Sequence, residues 1–94
     1  MPDTFELLEA VHDHETFVAF VRALAAEREA AARIEAANPQ RHMLDGAYGW
    51  ENADIPAFLE ASCEFFASIP DGEPSPEPSW RVFAEILWCG KIIE

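Results

Sequence analysis

Positive charge is scarce in this 94-residue chain, which carries 6 Lys and Arg against 18 Asp and Glu, a formal net charge of -12. A protein this poor in cations has little with which to neutralise phosphates. That argues against a nucleic-acid binder and against a peripheral binder of anionic membranes. Glycine is sparse too: Gly46, Gly49, Gly72 and Gly90 stand singly, so no Gly-rich loop is available to cradle a phosphate. Long apolar runs are missing, and nowhere does the chain reach the roughly 18 residues that suggest a membrane span. The opening MPDTFELLEAV lacks the basic flank of a secretory signal, and the closing KIIE matches no lipidation signal. A cytoplasmic protein is the expectation. Cysteine is limited to Cys63 and Cys89, too few for a multi-bridge framework. Both sit in apolar helical runs, which suits two reduced core thiols; a disulfide between their helices is the alternative.

What is present is apolar and aromatic. Half the residues are apolar, and 3 Trp, 7 Phe and 1 Tyr give a composition that folds rather than stays disordered. The length supports one domain, residues 1–94. The acidity is spread through that domain: residues 1–47 carry 4 basic and 9 acidic groups, residues 48–94 carry 2 and 9.

The spacing of apolar residues predicts an all-α fold, a small bundle of three main helices plus a short N-terminal one. Thr4 is placed to cap a helix over Phe5–Val11, anchored by Leu7, Leu8 and Val11. Asp13 caps a long helix over residues 14–37, where Phe17, Phe20, Val21, Leu24 and Ala25 draw one apolar stripe. Beyond residue 26 the stripe thins to alanine, and Arg28 and Glu35 fall on its line. The second half is therefore expected to project or to cover only a little surface, supported by a Glu29–Arg33 pair, until Asn38-Pro39 ends it.

Residues 39–53 form a connector whose Met43, Leu44, Tyr48 and Trp50 are too apolar for an idle linker and suggest a plug over the bundle. Asn52 or Asp54 caps the third helix, and Pro56 suits its first turn. There Ile55, Phe58, Leu59, Ser62, Cys63, Phe65, Phe66 and Ile69 share one broad face expected to be half sunk in a core, with Glu60 and Glu64 pointing away. Residues 69–79 read as an acidic Pro-rich loop of extended geometry. Ser79 caps the last helix, WRVFAEILWC, whose apolar arc leaves only Arg81 and Glu85 as a polar strip, and Gly90 reads as its stop.

Several motifs in this pattern resemble a family of short, acidic, mostly bacterial proteins catalogued as a domain of unknown function. They are Trp50-Glu51-Asn52, the Ile55–Ala61 run containing Phe58-Leu59-Glu60, Pro78-Ser79-Trp80, the Val82–Leu87 run containing Phe83-Ala84, and Lys91-Ile92-Ile93-Glu94. The Val11–Phe20 opening is similar as well. This chain departs from the pattern in its longer stretch before Trp50, in Trp88-Cys89-Gly90, and in closing Ile-Ile-Glu. The resemblance implies a compact standalone domain and brings no activity, ligand or catalytic residue.

The residues themselves offer little catalytic chemistry. His12 and His14 flank a cap, and His42, Cys63 and Cys89 stand apart, unlike the close ligand pairs of a zinc site. Glu60 and Glu64 lie on a polar helix face, where glutamates serve solubility. Ser62 and Ser68 lack a nucleophile-elbow setting. Glu51 suits a structural acceptor of N–H groups or an Arg, or else a partner contact. No catalytic residue, cofactor or metal is expected, and the chain reads as a non-enzymatic protein-interaction domain.

Its partner would be a protein, in the fuller form of this reading a basic one, met by Trp50, Trp80 and Trp88 as apolar anchors and Glu51, Glu73 and Glu77 as an acidic rim. An immunity or inhibitor protein is one concrete form. The alternatives are a small-ligand or metal-binding domain with a pocket near Phe66, Trp80 and Trp88, and a homodimeric accessory protein associating through the C-terminal helix.

Overall fold

A computed structural model describes residues 3–38, 46–74 and 76–93. Among them are four α-helices: α1 (Thr4–Glu9), α2 (His14–Ala37), α3 (Ile55–Ala67) and α4 (Trp80–Ile92). A 3-10 turn at Ala47–Gly49 precedes α3. The architecture is an all-α bundle. Pro39, His42, Met43 and Leu44 of the connector lie outside the described residues.

Each helix starts where a short polar side chain meets the orphan N–H groups of the first turn. Asp13 accepts from Thr16 N at 2.8 Å, and Thr16 Oγ1 accepts in return from Asp13 N, closing a capping box. Asp54 accepts from Ala57 N at 2.9 Å, with Pro56 in the first turn, and Ser79 accepts from Val82 N at 3.0 Å. At α1 the cap is Asp3, which accepts from Glu6 N at 2.8 Å. Thr4 is the first helical residue and is buried, because its hydroxyl is used elsewhere.

α4 is the element on which the others converge: α1, α2 and α3 all pack against it. The fully sealed core is small, with Phe20 at its centre and Leu8, Val11, Leu24, Ala31, Ala47, Trp50 and Ala84 around it. The molecule is only 18 Å across its shortest axis, about two helix diameters. A slab this thin cannot cover both sides of every helix.

Besides the cap of α1, three further expectations are corrected. The second half of α2 does not project: Ala31 is buried, Ile34 packs against the core, and Arg28 pairs with Glu35 at 2.9 Å. Residues 46–50 cover it, as Glu35 Oε2 accepts from Ala47 N at 3.0 Å and Ala47 and Trp50 are sealed. Second, Gly90 does not stop α4. It lies inside the helix, buried, where an added Cβ would meet Ser62 Oγ and, at 2.7 Å, the Phe58 ring. Glycine is needed there because α3 and α4 approach side by side at that level, and the helix runs on to Ile92.

Third, the broad face of α3 is split. Phe58, Ala61, Ser62 and Phe65 are wholly or partly buried, whereas Ile55, Leu59, Cys63 and Phe66 are exposed. The helical period had merged the two arcs, since it does not say how wide a face the neighbours cover. Cys63 and Cys89 are both free thiols, and Cys63 is not in the core.

Candidate functional site

The polar centre of the fold is Glu27, at the point where the apolar stripe of α2 thins. Its Oε2 accepts from Thr4 Oγ1 at 2.8 Å, and its Oε1 accepts from Trp50 Nε1 at 2.9 Å. Lys91 Nζ lies 2.6 Å from the same Oε1, and the Lys91 side chain is only 6% exposed. That ammonium also sits 4.6 Å from the Trp88 ring centre and 5.9 Å from that of Trp50. A buried charge is tolerable only when paired and surrounded by polarisable or hydrogen-bonding groups, and the carboxylate and the two indoles supply both. Thr4, Glu27, Trp50 and Lys91 thus tie α1, α2, the pre-α3 segment and α4 together.

The motif Trp50-Glu51-Asn52 extends the same joint. Glu51 N donates to Lys91 O at 2.9 Å, while Asn52 Nδ2 donates to Gly90 O at 2.9 Å and to Ile93 O. These are carbonyls of the last turn of α4 and of its C-cap Ile93, which have no intrahelical partner. The Trp-Glu-Asn and Lys-Ile-Ile marks, far apart in sequence, are therefore one contact in space.

The six residues expected to form a partner surface do not make one exposed face: Trp50, Glu51 and Trp88 gather about the buried Lys91, while Glu73, Glu77 and Trp80 lie at the surface. Trp50 is 4% exposed, so its ring belongs to the core, stacked 6.1 Å from Phe58. Trp88 is half-buried between Phe5 at 5.7 Å and Phe20 at 6.5 Å. Glu51 is half-buried beside the end of α4. Trp80 remains 41% exposed and forms an aromatic patch with Phe17 at 5.3 Å and Phe83 at 5.9 Å. Glu73 and Glu77 are exposed in the segment between α3 and α4.

An open cleft of about 280 Å³ lies elsewhere than the pocket anticipated near Phe66, Trp80 and Trp88. Val21, Leu24, Phe58 and Leu87 line it, and Trp50 and Arg28 stand at its wall. Arg28 lies 5.4 Å from the Trp50 ring centre, and its Nη1 is buried without a hydrogen-bond partner among the described residues.

Two thiol and carboxyl environments depart from the ordinary. Burial, and secondarily the Glu85 carboxylate, push the Cys89 thiol up. The backbone N–H of Thr16, followed by its hydroxyl, holds the Asp13 carboxyl below its usual value. Among the described residues no three His, Cys, Asp or Glu side chains are grouped to hold a metal ion, and no helix is long and apolar enough to cross a membrane.

Sequence periodicity gave no sign of Glu27, and Lys91 stood out only as part of the Lys91-Ile92-Ile93-Glu94 mark. The available signal was the departure from apolarity on the α2 stripe at Arg28 and Glu35, which marks a face covered by polar partners. No curated protein and no solved structure shows significant similarity to the chain. Residues 13–94, from the α2 cap through both halves of the Trp-Glu-Asn and Lys-Ile-Ile joint, match the Family of unknown function (DUF7660), to which this chain belongs.

Proposed function

We propose that the chain is a non-enzymatic, acidic protein-interaction domain whose partner is a basic protein, an immunity or inhibitor type being one concrete form. The observation that carries this reading is the one-signed surface of residues 46–79. Every Asp, Glu, Lys or Arg in that segment is acidic: Glu51, Asp54, Glu60, Glu64, Asp71, Glu73 and Glu77. Of these, Asp54, Glu60, Glu64, Asp71, Glu73 and Glu77 are exposed. Such a field speeds encounter with a cationic surface and rejects anionic ones. The test is native mass spectrometry of complexes captured by untagged protein at physiological salt. A basic protein retained by wild type and lost when Glu60, Glu64, Glu73 and Glu77 become Gln supports the reading, and recovery of no partner sinks it.

A second reading, a small-ligand site, draws on the cleft lined by Val21, Leu24, Phe58 and Leu87, with Arg28 at its wall. Pockets of this size and apolarity with few polar groups suit small molecules. A fragment screen by ligand-observed NMR, with Leu24→Trp to fill the cleft, separates it from the first: hits that vanish in that variant favour it.

A further inference from the structure

The outer face of α3 carries an apolar stripe that none of the described helices covers. Ile55 is 74% exposed, Leu59 57% and Phe66 49%, and Cys63 is exposed between them. At 3.6 residues per turn, positions 55, 59, 63 and 66 fall within about 80° of one another, so they form a single ridge along the helix. Phe58, Ala61, Ser62 and Phe65 occupy the adjoining arc against the bundle. On the far side of the ridge stand Glu60 and Glu64, both exposed, with Asp54 at its start. A solvated helix ordinarily places charged residues where these four apolar side chains stand.

We propose that this ridge is the docking face for a cationic amphipathic helix of a partner protein. The inference rests on the basic-partner reading above and assigns it a surface and a shape. Apolar residues spaced three and four apart on one helix fit a matching row on another, which is the geometry of helix recognition by an apolar face. Charge selects the occupant. The solvent flank of the ridge, Glu60 and Glu64, is acidic, and the segment from 46 to 79 contains no Lys or Arg. An antiparallel pairing of two copies would set Glu60 and Glu64 beside their own counterparts, whereas a helix with lysines or arginines beside its apolar row neutralises them. The aromatic patch of Phe17, Trp80 and Phe83 is less selective, because Arg81 and His14 lie in or beside it.

The experiment titrates the full chain, isotope-labelled for NMR, with a designed helical peptide bearing leucine at every third or fourth position and lysine between. A scrambled peptide of identical composition is the control. Binding of the designed peptide shifts amides of α3 around Leu59 and Cys63, and Leu59→Ser or Phe66→Ser weakens it about tenfold without lowering the melting temperature. Phe83→Ser, on α4, leaves the affinity unchanged. Equal binding of the scrambled peptide, or equal affinity in Leu59→Ser, overturns the assignment of the ridge while the basic-partner reading stands. Absence of binding by either peptide at low salt overturns both. A sedimentation dimer that Leu59→Ser dissociates also overturns the proposal, since the occupant is then a second copy.

Discussion

Lys91 Nζ stands 2.6 Å from Glu27 Oε1 with little solvent around either group, so the last turn of α4 is ionically fastened to the middle of α2. Removing one partner leaves the other as an uncompensated buried charge. Lys91→Met is expected to destabilise the fold by about 3 kcal/mol. Glu27→Leu combined with Lys91→Met should cost less than the sum of the single changes, because no charge is then orphaned. Urea unfolding of the four proteins checks both statements; additive losses would place the energy in packing alone.

Gly90→Ala is expected to lower stability although alanine is the better helix former. The intrinsic gain is about 1 kcal/mol, and the new methyl meets the Phe58 ring at 2.7 Å, a clash worth about 1 to 3 kcal/mol. Pairing it with Phe58→Leu should restore part of the loss. Thermal melting of the single and double variants decides this, and a Gly90→Ala protein that melts higher than wild type contradicts the close approach of α3 and α4.

Cys63 should be alkylated well before Cys89. Cys63 is exposed, whereas burial and the neighbouring Glu85 carboxylate raise the Cys89 thiol and reduce its reactive thiolate. Iodoacetamide labelling at mildly alkaline pH, followed by peptide mass mapping, gives the order. Modification of Cys89 first would contradict the burial of that face.

The Asp13 cap gives a pH signature with a definite sign. Its carboxyl is held down by the Thr16 N–H and hydroxyl in the folded chain, so the folded state binds its proton less readily than the unfolded state. The stabilisation is present above the unfolded carboxyl value, about 3.9, and is lost as pH falls through the lower folded value. Wild type should therefore exceed Asp13→Asn in melting temperature at neutral pH, and the difference should shrink on strong acidification. A difference that stays constant down to the acid transition would assign the cap no ionic component.

The caps at Asp13 and Ser79 were legible in the sequence, and Asp54 as one of two candidates with Asn52, because a cap depends on residues within one turn. The reach of α4 was not. Glycine after an apolar run reads locally as a stop, and only the arrival of Phe58 from another helix shows why Gly90 sits inside the helix. Lys91 is unreadable for the same reason, since the group that neutralises it lies in α2. At the surface, periodicity found the large apolar positions of α3 but not the buried Ala61, nor the boundary between its covered and uncovered arcs. That boundary depends on the thickness of the bundle, which is a property of the assembled helices. Trp50 shows the converse: a Trp beside acidic residues suggests a contact surface, yet its indole N–H has a carboxylate waiting inside.

The bonds to Glu27 join residues widely separated along the chain, from Thr4 on one side to Lys91 on the other. Closing such loops costs chain entropy before any contact compensates it, so local helix formation precedes this joint in time. Its energy is accordingly expected to act mainly on the barrier against opening: Lys91→Met should raise the unfolding rate more than it lowers the folding rate, and the reverse in stopped-flow kinetics would place the joint in the folding nucleus.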